Sequence, residues 1–323
     1  MGWFRAMRTR VALAGVLCAA LLPVTTAQAE PTGSQPYTVW QWNVAGSTLN
    51  DGKADTGMVE GAVASIVSRG ADFAAFNELC KSQWNALVTQ LRAAGWPEAP
   101  TNFGRFEPSL AAGEGACGGD EFGNAIFSKR ALGEADRIAL PADGKTEKRN
   151  MLCATLVESE TTRFCTTHLT VASNAAKWGQ LEYVRRKLDT WTKAGETVLI
   201  AGDFNVQPHY DSLDTFYAPS VATDVNSGNQ GFLRELDDTD TSCLGYGEWT
   251  GDDAGATLPN KECPLLTRPK IDMIFVPESV IDTSTPYSAD SLTISTSCDV
   301  TAKSPSGRCS DHRVLVGTVT VKQ

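Results

Sequence analysis

Six segments of the chain end on, or run straight into, residues that can move protons or hold cations. Phe73-Ala74-Ala75-Phe76 leads into Asn77-Glu78, and Val198-Leu199-Ile200-Ala201-Gly202 leads into Asp203-Phe204-Asn205. Thr166-Thr167 precedes His168, and Lys270-Ile271 precedes Asp272. The loop before the last apolar run closes on Ser310-Asp311-His312, and the alternating segment 37–44 carries Asn43. Only three histidines occur, and His168 and His312 both fall in this pattern. A lone charge is costly to bury, so polar groups at the ends of core strands are expected to gather around one another or around a shared cation. Glu, Asp and Asn oxygens suit a hard cation, Mg2+ first, with Ca2+ or Mn2+ as substitutes, rather than zinc. Two imidazoles beside such a cation furnish what phosphodiester hydrolysis needs: neutralised phosphoryl oxygens, an activated water and a proton for the leaving oxygen. Asp203 and Asn205, two apart, project to one side if strand geometry continues through them. His209 lies outside the pattern and is expected at the surface.

The elements that must position these groups are short. Strands are expected at 37–44, 72–78, 122–128, 151–157, 163–169, 197–202, 271–276 and 313–321, and helices at 57–69, 82–94 and 174–193. In the last helix Trp178, Leu181, Val184, Leu188 and Trp191 form one stripe, read as core. Segments 111–121, 222–231 and 247–261 read as long surface loops. No repeat or Pro/Ser-rich linker divides residues 37 to 323. The economical solution is α+β: a four-layer αββα sandwich of two mostly antiparallel sheets flanked by helices, in one domain spanning 30–323.

Composition sets the compartment and excludes some classes. With 42% hydrophobic and 20% charged residues the chain is not a disordered one. Residues 1–29 read as a secretory signal: Arg5, Arg8 and Arg10, then the apolar run Val11 to Val24, then Ala27-Gln28-Ala29 for cleavage. The apolar run is too short for a membrane anchor, so a secreted, extracellular protein without stable membrane insertion is expected, and a disulfide-stapled secreted chain is expected to be a monomer. The signal carries three of the 28 basic residues and no acidic one, which leaves 25 basic against 38 acidic side chains, a net charge of −13. A polyanionic substrate must then be held by a local basic patch or by metal. Beyond Cys18 there are eight cysteines and no C-x-x-C pair, a pattern for disulfides rather than zinc. Cys153 and Cys165 are nearly equidistant from the polar turn Glu158-Ser159-Glu160-Thr161 and so face each other across a hairpin. Near-neighbour pairing of the rest gives Cys80 with Cys117, Cys243 with Cys263, and Cys298 with Cys309.

Taken in order, these motifs resemble the endonuclease/exonuclease/phosphatase superfamily over about residues 37 to 320. Gln41-Trp42-Asn43-Val44-Ala45-Gly46-Ser47 resembles its opening strand, closest to that of cytolethal distending toxin nuclease subunits. Phe76-Asn77-Glu78, Gly123-Asn124-Ala125-Ile126-Phe127-Ser128, Thr167-His168-Leu169, Gly202-Asp203-Phe204-Asn205, Ile271-Asp272-Met273-Ile274-Phe275 and Ser310-Asp311-His312 follow in the family's order. The resemblance implies a metal held by Glu78 with Asn43 and Asp311, Asp203 orienting or deprotonating water, and Asn205 on a phosphate oxygen. It implies His312, oriented by Asp272, at the phosphate or as base, and His168 protonating the leaving group or stabilising the transition state. Arg149 matches a phosphate-binding arginine of the toxin subunits; the competing reading is a solvated loop residue. Pancreatic-type deoxyribonucleases carry groove-reading arginines where this chain has Ala45 and Cys80, so their mode of duplex docking is not implied. The expected function is a secreted, divalent-metal-dependent phosphodiester hydrolase, an endonuclease cleaving nucleic acid. The alternative is a phospholipid phosphodiesterase or phosphatase, sphingomyelinase-like or phosphoinositide-phosphatase-like, working on lipid head groups with the same site.

Overall fold

Runs rich in β-branched and aromatic side chains become the inner strands of two sheets. The computed structural model describes residues 1–3, 33–252, 257–259, 263, 267–294, 296–300 and 303–322. The chain divides into the compact units Met1–Thr32 and Gly33–Gln323, and the expected signal, beyond its first three residues, lies outside the described residues. In chain order the elements are β1 (Ser34–Asn43), α1 (Met58–Ser68), β2 (Phe73–Cys80), α2 (Lys81–Ala93), β3 (Gly104–Leu110), β4 (Phe122–Ser128), β5 (Leu132–Ala139), β6 (Asn150–Leu156), β7 (Thr162–His168), α3 (Asn174–Lys193), β8 (Thr197–Asp203), β9 (Leu233–Glu235), β10 (Asp272–Pro277), β11 (Ser288–Leu292) and β12 (Val314–Lys322).

One sheet has the order β11-β12-β1-β2-β4-β3 and the other β5-β6-β7-β8-β10-β9. Pairing is antiparallel except for β1 with β2 and β7 with β8. Three apolar layers account for the sandwich. Tyr37, Val39, Phe73, Phe164, Leu199 and Ile274 fill the space between the sheets. Trp40, Trp42, Met58, Ile66, Leu87 and Phe127 join α1 and α2 to the outer face of the first sheet. Leu181, Val184 and Leu188 join α3 to Ile200 and Phe275 of the second. The expected αββα architecture is thus the observed one.

All eight expected strands and three expected helices are present, with ends shifted by no more than three residues, most at the start of β1. The strands not expected, β3, β5, β9 and β11, are the four edges of the two sheets. An edge strand meets water along one side, so it need not be continuously apolar and tolerates proline and charge. GRFEPSL (β3) and LGEADRIA (β5) are of this kind. The α3 stripe also needs correction: Leu181, Val184 and Leu188 are buried, but Trp178 is 56% exposed. Trp191 is half-buried, its ring 4.3 Å from the Arg163 guanidinium.

Four disulfides form, and they pair as expected: Cys80–Cys117, Cys153–Cys165, Cys243–Cys263 and Cys298–Cys309. Cys153 and Cys165 are direct partners in the β6–β7 register. Among the described residues no helix is long and apolar enough to cross a membrane.

Candidate active site

Register across the second sheet places the chemistry. His168 ends β7 opposite Asp203, which ends β8, and Asp203 lies opposite Asp272, which opens β10. In-register neighbours share a face, so one imidazole and two carboxylates stand side by side at one rim. On β8 the neighbouring position must be glycine, because a Cβ on Gly202 would lie 2.0 Å from the Thr167 carbonyl oxygen. The first sheet brings Asn43 and Asn77 together at the ends of parallel β1 and β2. A bulge between Phe76 and Leu79 then swings Glu78 toward the site. Ala45, Glu78 and Asn205 all border the site with φ between 46° and 57°. Such left-handed backbone in non-glycine residues persists where surrounding contacts impose it.

The side chains converge from both sheets. Asn43 Nδ2 donates to Glu78 Oε1 at 3.1 Å and to Asp203 Oδ2 at 3.0 Å, and its Oδ1 accepts from the Ala45 amide. His168 Nε2 is 3.5 Å from Asp203 Oδ2 and 4.0 Å from Glu78 Oε1. His312 Nδ1 is 2.7 Å from Asp272 Oδ2, while its Nε2 faces Asp203 Oδ2 at 3.8 Å. The backbone around His312 is fixed as well: Trp42 Nε1 donates to its carbonyl, and Ser310 Oγ donates to the Asn43 carbonyl.

Burial and neighbouring charge together set the protonation. The Asp203 carboxyl is pushed up to about 7 by burial and by the neighbouring Asp272. Glu78 is raised by burial, partly offset by the Asn43 hydrogen bond. Burial also holds His168 well below the usual imidazole range, and Arg149 adds to this. For His312 burial acts downward, but the Asp272 charge and hydrogen bond outweigh it and hold the ring up at about 10. At neutral pH the two histidines therefore differ: one neutral, one cationic.

A cluster of buried carboxylates with so little cationic compensation fits a hard divalent cation. The Asp203 and Asp272 carboxylates lie within 4.8 Å of each other, Asn43 bridges Asp203 to Glu78, and the Asp311 charge acts on both Glu78 and His312. Asp237, Asp240 and Glu248 form a second group at comparable spacing, but there Lys270 Nζ already lies 2.9 Å from Asp237.

Of the expected residues, Asn43, Glu78, His168, Asp203, Asp272 and His312 meet at one place, and Asp311 and Asn205 border the same cavity of ≈ 700 Å³ as His312. Asn205 does not continue the strand. Its amide donates to the Asp203 carboxylate, and its Nδ2 donates to the Leu169 carbonyl at 2.9 Å. Arg149 is not a solvated loop residue: its side chain is nearly buried, 3.0 Å from Glu147, and its charge acts on His168. His209 is half-buried beside Tyr210 and Tyr246, not a plain surface residue.

Sequence reasoning missed the braces. Gln41 Nε2 donates to Asp272 Oδ1 at 3.0 Å. Asn77 Oδ1 accepts from the Asp203 amide at 2.9 Å, and its Nδ2 reaches Asn124 and the Thr167 carbonyl. The available signal was a neutral amide at an inward-facing position of a strand. Lys177, whose ammonium donates to the Asn205 carbonyl, and Glu147, 4.0 Å from His168 Nδ1, lie in segments with no such signal.

The fold has solved counterparts. A humanised D. rerio TDP2 carrying 14 mutations is 18% identical, with a TM-score of 0.56 over 88% of this chain and 98% of that one. The human Nocturnin catalytic domain, solved with a bound sulfate anion, is 18% identical, with a TM-score of 0.59 over 89% and 94%. An endonuclease/exonuclease/phosphatase from Bacteroides vulgatus is 15% identical, with a TM-score of 0.58 over 89% and 100%. At these identities the likeness is one of fold. The chain matches no curated protein in sequence. The Endonuclease/Exonuclease/phosphatase family pattern, however, matches residues 40–312, a span that contains every group gathered at the rim. The protein therefore belongs to the endonuclease/exonuclease/phosphatase family, a family of metal-dependent phosphoesterases.

Proposed function

We propose that the protein is a secreted, divalent-metal-dependent endonuclease. The observation that carries the reading is the Asp272–His312 pair, held at 2.7 Å and facing Asp203 and His168 across one cleft. Glu78 and Asp311, with Asn43 beside them, hold the cation, with Mg2+ the expected one. When bound it supplies positive charge at the phosphoryl oxygens and offsets the buried carboxylates. Asp203, which titrates near neutrality, accepts a proton from the attacking water. His312, kept cationic by Asp272, sits at the developing phosphoryl charge. His168 completes the site on the leaving-group side, and Arg149 and Asn205 hold phosphate oxygens.

A diester substrate is favoured because the cleft continues on both sides of His312. On one side lies the cavity bordered by Lys177, Asn205 and Arg308; on the other, one of ≈ 320 Å³ bordered by Trp249, Ile294 and Arg313. A phosphate with chain on either side uses both, whereas a terminal phosphate uses one. Export is supported by the four disulfides, which persist in oxidising compartments. The Trp249–Ile294 side also supports a second reading, a phospholipid phosphodiesterase whose acyl portion rests there. Incubation with plasmid, RNA, sphingomyelin and phosphoinositides, with Mg2+ and with chelator, separates the two. Metal-dependent nicking of plasmid is expected, and intact nucleic acid under every metal condition rejects the nuclease.

A further inference from the structure

Past Asn205 the cleft runs into another hollow, of ≈ 270 Å³, that the proposed reaction does not use. Lys177, Val206 and Tyr210 border both spaces. One wall is Trp178, on the solvent side of α3, whose Leu181, Val184 and Leu188 are buried. An indole left in water at the mouth of a cleft has its ring free to stack.

The Tyr210 side of the hollow is set in place by its own contacts. Gln207 Nε2 donates to Tyr210 Oη at 2.9 Å, and Gln207 Oε1 accepts from Tyr246 Oη at 2.6 Å. The His209 ring lies edge-on to Tyr210 with centroids 4.6 Å apart, and 5.6 Å from Tyr246. Its Nδ1 is buried without a hydrogen-bond partner among the described residues. Tyr210 is 38% exposed. Lys177 stands at the junction, its ammonium on the carbonyl of Asn205.

Two aromatic side chains and one cation lining a single hollow, next to a residue proposed to hold a phosphate oxygen, suit a base and its phosphate together. A base in a duplex is already stacked and paired, whereas an unpaired base offers its face to any aromatic ring. We infer that Trp178, Tyr210 and Lys177 form a stacking subsite for an unpaired base beside the scissile phosphate, and that single-stranded nucleic acid is the preferred substrate, with duplex cleaved less well. The inference rests on the nucleolytic reading of the cleft. It makes Trp178 a specificity-determining residue that takes no part in bond breaking.

The test compares wild type, Trp178→Ala and Trp178→Phe on one labelled oligonucleotide, single-stranded and annealed to its complement. Wild type is expected to prefer the single strand. Trp178→Ala is expected to raise its KM roughly 5- to 150-fold with little change in kcat, the range expected for one lost base stack. Trp178→Phe retains most of the affinity, and the alanine change leaves duplex cleavage as it was. Equal KM values for wild type and Trp178→Ala on a cleaved single strand overturn the subsite while leaving the nuclease intact. If no nucleic acid is cleaved and none quenches tryptophan fluorescence on titration, the subsite and the nucleolytic reading fall together.

Discussion

His312 owes its charge to Asp272, and this coupling ties catalysis to stability. Its folded value of about 10 lies above the ordinary 6.5, so the pairing contributes fully below about pH 6.5 and is lost as the pH rises through 10. In urea unfolding, His312→Gln should fall furthest below wild type near pH 6 and approach it above pH 10. Replacing His168 or His312 by Ala should lower kcat by about 10²- to 10⁴-fold, with the far-ultraviolet circular dichroism unchanged. Glu78 and Asp203 behave oppositely, because burial opposes their charge. Metal-free Glu78→Gln should be as stable as wild type or more so, yet lose activity and the rise in Tm that Mg2+ gives the wild type. These groups were legible because a carboxylate or imidazole inside an apolar run needs a reason to be there. Gln41 and Asn77 were not, since a neutral amide is cheap enough to bury for ordinary structural reasons.

Between residues and the whole lie the strands, and the tightest constraint among them is the β7–β8 contact. Gly202→Ala drives a methyl into the Thr167 carbonyl, one residue from His168 and from Asp203. It should cost about 1–3 kcal/mol by denaturant midpoint and lower kcat as well, through displacement of the two side chains proposed to act on the substrate. The motif containing Gly202 was recognisable in the sequence, but the need for glycine appears only when the two strands are brought together. Inner strands such as β4 and β8, buried throughout, announce themselves as apolar runs. The four edges do not, because half of each edge strand answers to water instead of to a core. Trp178 was misplaced for a related reason: helical spacing identifies a stripe, but not which end of it a neighbour covers.

At the scale of the molecule, acidic residues outnumber basic ones by 38 to 28 in the full sequence, while Lys177, Arg308 and Arg149 lie at the cleft or beside it. A polyanion would thus be repelled at long range and, on the proposed function, held at close range. Raising monovalent salt from about 10 to about 100 mM shortens the screening length to about 10 Å and should lower KM for an oligonucleotide. A basic nucleic-acid binder shows the reverse. The Cys298–Cys309 bridge acts on the same site from outside the sheets, for it closes the loop that ends in Asp311 and His312. Reduction of this one bond is expected to slacken the tether beneath His312. Activity regained on oxidation of the reduced protein, following closure of this one bond, would make the enzyme self-timed: idle where it is made, armed by the first oxidising environment it meets.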